Sequence, residues 1–180
     1  MVSRRSAAVV LSSLLLVGSA WGWAPAGQAH EGRHRGGVLC QGDSTSTYDP
    51  PLTSASRSTR VHTDAWYTCT VEPGRTVHAT GSLDGVSPSA SCDGLSNPRI
   101  TEVVKYDDGE QSLILYDQGT TVRTAGVLDV TLSGRVAEGR GKGQSARRDV
   151  LLALPQQLPT ECLSSGLRGN NGQAQLVIQP

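Results

Sequence analysis

Apolar and polar residues alternate with a period of two along most of the chain after residue 38. The clearest case is the segment 60–71, where most alternate residues from Val61 onward are apolar. Successive side chains of a β-strand point to opposite faces, so this alternation predicts a strand with one buried face. The inward set is Val61, Ala65, Tyr67, Cys69 and Val71, and the outward set is Arg60, His62, Asp64, Trp66, Thr68 and Thr70.

Turn signals separate this strand from others of the same kind. Pro73 and Gly74 favour a turn before a second alternating segment at 76–83. Two apolar runs flank Asp108 and Gly109, and an Asp-Gly pair between such runs predicts a hairpin with a type I′ turn. The remaining predictions are a strand at 121–136 with an irregularity at Gly126, strands at 144–154 and 174–179, a connection or edge strand at 45–59, and a flexible loop at 138–143.

Eight or nine short strands with frequent turn signals predict an all-β fold in one domain. An antiparallel β-sandwich is the leading interpretation, and a closed β-barrel is the alternative. The chain has no Phe, so its core must be built largely from small aliphatic side chains. We expect no helix longer than two turns after the first 29 residues.

The first 29 residues have the composition of an export signal. Arg4 and Arg5 precede an apolar stretch at 7–20 that is too short to cross a bilayer, and small residues suited to cleavage follow at Ala26 and Ala29. No later apolar run is long enough for a membrane span. The sequence therefore predicts a secreted protein, extracellular or cell-wall associated, with a signal peptide at 1–29, a flexible N-terminal segment at 30–37 and a single domain at 38–180.

Four cysteines lie after the predicted signal, and an even number is typical of paired cysteines in an exported protein. They allow three connectivities. We favour Cys40–Cys69 with Cys92–Cys162, because the first two lie in neighbouring strand-like segments and the other two lie at the edges of such segments. If both bridges form, no thiol nucleophile remains.

Charge and motifs argue against several classes of function. Loss of Arg4 and Arg5 with the signal leaves 14 of the 16 basic residues against 16 acidic residues, a formal charge of −2. Because the two signs are interspersed, the chain has no nucleic-acid footprint. It also has no G-x-S-x-G motif, no phosphate-loop spacing and no obvious pair of carboxylates for acid/base chemistry. The sequence therefore assigns no cofactor, no metal and no catalytic residue.

The histidines after the signal provide one enzymatic hypothesis. Residues 30–34 read H-E-G-R-H, which matches a zinc-protease pattern, but their glycine-rich surroundings disfavour the helix that this pattern needs. Cleavage after Ala29 would make His30 the N-terminal residue. Its amine and imidazole, joined by His62 or His78, would form a copper-binding brace. A copper-dependent secreted enzyme is therefore the second hypothesis, against a simple N-terminal tail.

The predicted binding surface is the outward row Arg60, His62, Asp64 and Trp66. An exposed Trp beside charged and hydroxyl groups offers a large rigid contact to a protein or a sugar. A single bulge would instead turn Trp66 into the core. The leading hypothesis is a non-enzymatic secreted binding protein. Its partner is first another secreted protein, because edge strands and long loops offer pairing surfaces, and second a surface glycan. A structural cell-surface or matrix protein is a third possibility.

Five short segments carry a resemblance to known proteins: Cys40-Gln41-Gly42, Thr47-Tyr48-Asp49-Pro50-Pro51-Leu52, Ser91-Cys92, Tyr106-Asp107-Asp108-Gly109 and Leu176-Val177-Ile178. In these segments the chain resembles a group of small secreted all-β proteins with two cysteine pairs from filamentous high-GC Gram-positive bacteria. The resemblance implies an exported β protein with two disulfides. The group has no established activity, so the resemblance implies no functional residue.

Overall fold

The computed structural model describes residues 36–96, 98–124, 127–153 and 160–180. The predicted signal peptide at 1–29 and the first six residues of the predicted N-terminal segment lie outside these ranges. The described residues form nine strands and one four-residue helix. The elements are β1 (Val38–Leu52), β2 (Arg57–Glu72), β3 (Arg75–Ser91), β4 (Gly94–Ser96), β5 (Arg99–Tyr106), β6 (Gln111–Thr124), β7 (Val127–Gly139), β8 (Ser145–Ala153), α1 (Thr160–Leu163) and β9 (Leu167–Gln179).

The nine strands form one antiparallel sheet that closes on itself. Its order is β2-β1-β9-β8-β7-β6-β5-β3-β4, and the additional pairing of β2 with β3 completes a ring of eight strands. The short β4 lies outside this ring and pairs with β3. The predicted all-β antiparallel fold is confirmed, and the sheet takes the form of the closed barrel that the sequence left as an alternative.

The alternation of residue types explains how each strand builds this barrel. In β2 the predicted inward side chains, among them Val61, Tyr67 and Val71, are buried, and the predicted outward set lies on the outer wall. Each of the eight ring strands contributes buried apolar side chains to one interior core. Removal of these small aliphatic groups from water is the main favourable term for folding.

Three hairpin turns lie at one end of the barrel, which we call the near end. They connect β2 to β3, β5 to β6 and β7 to β8. In the second of them, the Gly109 nitrogen donates to the Tyr106 carbonyl over 3.0 Å, and Gly109 has a φ of 87°. Gly109 therefore follows the turn and is not one of its two central residues. The loop has three residues, one more than the predicted type I′ turn has.

The predicted flexible loop at 138–143 is held at the near end by Arg140. Its Nη2 donates to Asp108 over 2.7 Å and its Nε donates to Glu110 over 3.0 Å. The guanidinium also lies 4.6 Å from the centre of the Tyr106 ring. These contacts join the third hairpin turn to the second, and the first two residues of the predicted loop belong to β7.

Two strand predictions are wrong. The predicted strand at 121–136 is two antiparallel strands, because β6 ends at Thr124, β7 begins at Val127 and these two residues pair. The segment 45–59 is neither a connection nor an edge strand over most of its length. Its first half is the end of β1, which pairs with both β2 and β9.

Both predicted disulfides are present, and no described cysteine is free. Cys40 and Cys69 lie directly opposite each other on β1 and β2, with their side chains in the interior. Cys92 and Cys162 join the end of β3 to α1 at the far end of the barrel, opposite the three hairpin turns. None of the described helices is long and apolar enough to cross a membrane.

Candidate functional site

The outer wall of β2 carries the predicted binding row. Arg60, His62, Asp64 and Trp66 all project from this wall, since they occupy the outward positions of the strand. The Trp66 side chain is 56% exposed, the largest aromatic contact that the described surface offers to a ligand. The outward orientation of Trp66 is thus confirmed, and its role in binding stays a prediction.

Strand register places polar partners beside Trp66 that the sequence did not reveal. Trp66 lies opposite Asp43 on β1, and Asp43 lies opposite Gln173 on β9. Directly opposite residues of an antiparallel pair have Cβ atoms about 5 Å apart, so these side chains form one continuous strip. We call Trp66, Asp43 and Gln173 the outer strip.

The outer strip leads into a groove of about 650 Å³ on the same wall. Beyond Asp43 and Gln173, its polar lining comes from Gln41, Gln175, Asp129, Arg147 and Asp149. This volume lies in the range of small-molecule sites in proteins. Amides, carboxylates and a guanidinium together provide hydrogen-bond donors and acceptors, so the groove suits a ligand that carries many hydroxyl groups.

One corner of the groove is fixed by its own hydrogen bonds. Arg147 donates to Asp149 from Nε over 2.9 Å and from Nη2 over 2.8 Å. The Thr131 hydroxyl donates to the same carboxylate over 2.6 Å. A paired fork of this kind holds both side chains in one geometry. The groove wall is therefore ordered before any ligand arrives.

His62 is bound by two carboxylates on the outer wall. Its Nδ1 lies 2.8 Å from Asp84 and its Nε2 lies 3.4 Å from Asp64. The hydrogen bond with Asp84 raises the pKa of His62 above its usual value, partial desolvation opposes this rise, and the charges of Asp84 and Asp64 add to it. Protonated His62 thus forms a small charged cluster at the edge of the predicted row.

We expect the pKa of His62 in the folded protein to exceed the value of about 6.5 for an unperturbed histidine. The contribution of this cluster to stability is fully present below pH 6.5 and is lost as the pH rises through the folded pKa. A side-chain NMR titration measures that midpoint. Asp84→Asn should lower the midpoint more than Asp64→Asn does, and equal midpoints in wild type and Asp84→Asn would contradict this assignment.

The described residues contain no group of three or more metal-ligating side chains. His30, the first ligand of the predicted copper brace, lies outside the described residues. His62 and His78 are both on the outer wall, but the register pairs His62 with Asp84 and His78 with Thr68. Because His78 lies opposite Thr68, the two histidines are six residues apart along the paired strands, which is about 20 Å. A copper brace could therefore include His62 or His78 but not both.

A second set of polar groups lies inside the barrel, and the sequence did not predict them as a site. Glu102 is 0% exposed, and its two carboxylate oxygens accept hydrogen bonds from the hydroxyls of Tyr67 over 3.0 Å and Tyr116 over 2.6 Å. Desolvation, followed by the charge of Glu102, raises the pKa of both tyrosines well above the usual value. Both hydroxyls therefore remain donors.

Arg148 completes this interior cluster from β8. Its side chain is 1% exposed, and neither Nε nor Nη2 has a hydrogen-bond partner among the described residues. Desolvation lowers the pKa of Arg148, but the nearby charge of Glu102 and the surrounding tyrosines outweigh it, so the pKa is raised. The barrel thus buries a guanidinium that stays charged.

Period-two alternation contained the signal for this cluster. Glu102 alternates with the buried residues Ile100 and Val104 on β5, and Arg148 alternates with Ala146 and Val150 on β8. Both charged residues therefore occupy inward positions. The period-two alternation that places Trp66 outward on β2 also places Glu102 and Arg148 in the core, where an ionised side chain needs a partner.

No protein-family model, curated protein or solved structure matches this chain. The groups that the fold brings together are therefore the only indication of function in the described residues. On the outer wall these are an exposed indole ring and a polar groove, and inside the barrel they are a charged cluster. The outer groups suit recognition by stacking and hydrogen bonding, which requires no reacting group.

Proposed function

We propose that this chain is an exported, non-enzymatic binding protein that holds an extracellular glycan on its outer wall. The observation that carries the proposal is the exposed Trp66, which lies in register with Asp43 at the edge of the polar groove. Trp66 supplies a stacking surface, and the carboxylates and amides of the groove supply hydrogen bonds.

The chemistry of sugars fits this combination. One face of a pyranose ring presents C–H groups that pack on an aromatic ring, while its hydroxyl groups need donors and acceptors around the rim. The groove offers both kinds of partner, since Gln173 and Gln175 carry amides and Asp43 carries a carboxylate. Arg147 and Asp149 are already fixed by their mutual hydrogen bonds, which reduces the ordering cost of binding.

A protein partner has less support than a glycan. One of the two surfaces expected to bind a protein partner is a free strand edge, and a closed barrel removes free edges. Among the described strands, the one outside the closed ring is β4, which has three residues. Its Leu95 nitrogen donates to the Thr121 hydroxyl over 3.4 Å, so this short edge is also partly covered.

Export of the protein is supported by two observations. The first 29 residues have the order of basic, apolar and small residues typical of a signal peptide. All four cysteines pair, and disulfides persist in oxidising compartments outside the cytoplasm. The outer wall then meets the glycans of cell surfaces and extracellular matrices.

Replacement of Trp66 by alanine should abolish glycan binding and leave folding almost unchanged. Because the side chain is 56% exposed, the free energy of unfolding should change by about 0.5 kcal/mol or less. The binding assay is retention of the exported protein on insoluble chitin, cellulose and peptidoglycan. We expect wild type to be retained by at least one of them and Trp66→Ala to pass through.

Val122→Ala is the matched control, because Val122 is 59% exposed on β6, away from the outer strip. This variant should be retained like wild type. Failure of wild type to bind any of the three polysaccharides, or equal retention of Trp66→Ala, would overturn the proposal. Gln173→Ala, which removes an amide from the outer strip, should weaken retention without abolishing it.

A further inference from the structure

The row of paired residues that begins at Trp66 continues beyond the outer strip. Gln173 lies opposite Leu151 on β8, and Leu151 lies opposite Asp129 on β7. Directly opposite residues of an antiparallel pair project from the same face of the sheet, so these side chains extend the strip along the outer wall. We call the whole series the long row, and it crosses five strands in the order Trp66, Asp43, Gln173, Leu151 and Asp129.

Leu151 gives the long row a second exposed apolar surface. Its side chain is 48% exposed, and it lines the groove together with Asp129. Trp66 and Leu151 are three strand spacings apart, about 14 Å along the sheet. A carboxylate lies beside each of them, Asp43 next to Trp66 and Asp129 next to Leu151. The row therefore repeats one arrangement, an apolar surface with a hydrogen-bond acceptor beside it.

The groove is longer across the strands than along them. Its part of the long row comes from four adjacent strands, β1, β9, β8 and β7, which cover three strand spacings. A second row beside it comes from three of the same strands and consists of Gln41, Gln175 and Asp149. Neighbouring rows on one face are two residues apart, about 7 Å, against about 14 Å for the three spacings. An extended ligand therefore fits the groove best when it crosses the strands.

The charges of the groove disfavour acidic glycans. Three carboxylates line it, those of Asp43, Asp129 and Asp149, and Arg147 is the one cation among its described lining residues. The Arg147 guanidinium donates to Asp149 from Nε and from Nη2, so its charge is already paired. Uronic acids and sulfated sugars would bring further negative charge to this surface, and like charges brought together oppose binding. A chain of sugars without acid groups meets no such repulsion.

We propose, on the basis of the glycan binding proposed above, that the ligand is a linear 1,4-linked glycan without acid groups. It lies across the strands and contacts both Trp66 and Leu151. One sugar of an extended 1,4-linked chain advances about as far as one strand spacing, about 4.8 Å. Trp66 and Leu151 therefore contact sugars three units apart, and the full site holds about four sugars. A disaccharide on Trp66 does not reach Leu151.

The test compares short and long probes by isothermal titration calorimetry of the full exported protein. The probes are the disaccharides and hexasaccharides of chitin and cellulose and a hexamer of galacturonic acid. We expect at least one neutral hexasaccharide to bind about tenfold more tightly than its own disaccharide, because it buries Leu151 as well as Trp66. The galacturonic acid hexamer is also 1,4-linked, and it should bind at least about tenfold more weakly than that hexasaccharide. Equal affinity for the acidic and the neutral hexamer would overturn the class of ligand proposed here.

Leu151→Ala tests the path of the chain. This variant should lose most of the tenfold gain for the hexasaccharide and bind the disaccharide like wild type. Leu115→Ala is the matched control, because Leu115 is 49% exposed on β6 and does not line the groove. It should bind both sugars like wild type.

The outcomes separate the path of the chain from glycan binding itself. Equal affinity of wild type for both lengths, or a Leu151→Ala variant that keeps the full gain, would overturn the path across the strands and leave binding at Trp66 intact. Retention of wild type on insoluble polysaccharide without binding of any hexasaccharide would also overturn the linear site alone. Absence of both retention and hexasaccharide binding would overturn glycan binding as well.

Discussion

Arg148→Met should lower the free energy of unfolding by about 1–3 kcal/mol, because it removes the buried positive charge that acts on the carboxylate of Glu102. The hydroxyls of Tyr67 and Tyr116 would still donate to Glu102, but they cannot neutralise it. Urea unfolding followed by circular dichroism measures the loss. The midpoint should fall while the slope stays constant, as expected for a change in stability alone.

The double variant Arg148→Met/Glu102→Gln should regain much of the lost stability, since it removes both buried charges together. Arg147→Met is the matched surface control on the same strand. Its side chain is 56% exposed, and it should cost about 1 kcal/mol or less. A loss from Arg148→Met no larger than that of Arg147→Met would show that the interior charges are not coupled to each other.

Removal of the far-end disulfide is the second change with a large expected effect. Cys92 and Cys162 are 70 residues apart, and in the chain-entropy account a loop of this length is worth roughly 4.4 kcal/mol. The Cys92→Ala/Cys162→Ala variant should therefore unfold at much lower urea. The same variant tests whether the bridge holds α1 against β3.

The Cys40→Ala/Cys69→Ala variant is the natural comparison. Its loop spans 29 residues, so the same account predicts a loss of about 3.6 kcal/mol. Urea unfolding of both variants under identical conditions shows which disulfide contributes more to the free energy of unfolding. The Cys92→Ala/Cys162→Ala variant could instead lose less than about 1 kcal/mol of unfolding free energy. That result would indicate that the backbone hydrogen bonds donated by Ser54 and Cys92 hold the far end without the disulfide.

The faces of the strands could be predicted from the sequence because strand geometry makes them a local property. Once Tyr67, Cys69 and Val71 are inward, Trp66 must project outward unless a bulge intervenes, and none is present between Asp64 and Cys69. The disulfide pairing was predicted from position along the chain, since Cys40 and Cys69 lie in neighbouring strand-like segments, and the structure places them opposite each other.

Closure of the sheet could not be predicted in this way. Whether β2 meets β3 around a ring depends on the accumulated twist and stagger of all eight strands, and no single segment encodes it. The outer strip depends on the same long-range order. Asp43 and Gln173 are 130 residues apart, and they become neighbours only through the pairing of β1 with β9.

The hairpin between β6 and β7 was missed for a different reason. The alternation continues from 121 to 136 without a Pro or an Asx-Gly pair, so the pattern reads as one strand. The charged cluster of Glu102 and Arg148 was not predicted, because charged residues are dispersed along the sequence and no local pattern pairs these two. The alternation in the sequence places both side chains on the inward faces of their strands, but only the closed barrel brings them close together.

Emission from Trp66 provides the most direct test of the central claim that the outer wall binds glycans. Trp21 and Trp23 lie in the predicted signal peptide, so cleavage after Ala29 would leave Trp66 as the single tryptophan. Titration with soluble chitin and cellulose oligosaccharides should shift its emission in a saturable manner and protect it from quenching by acrylamide. The same titration of Gln173→Ala should saturate at higher sugar concentration. Emission and quenching that stay unchanged, under conditions where the protein is retained on the polysaccharide, would contradict the account, because binding would then occur away from Trp66.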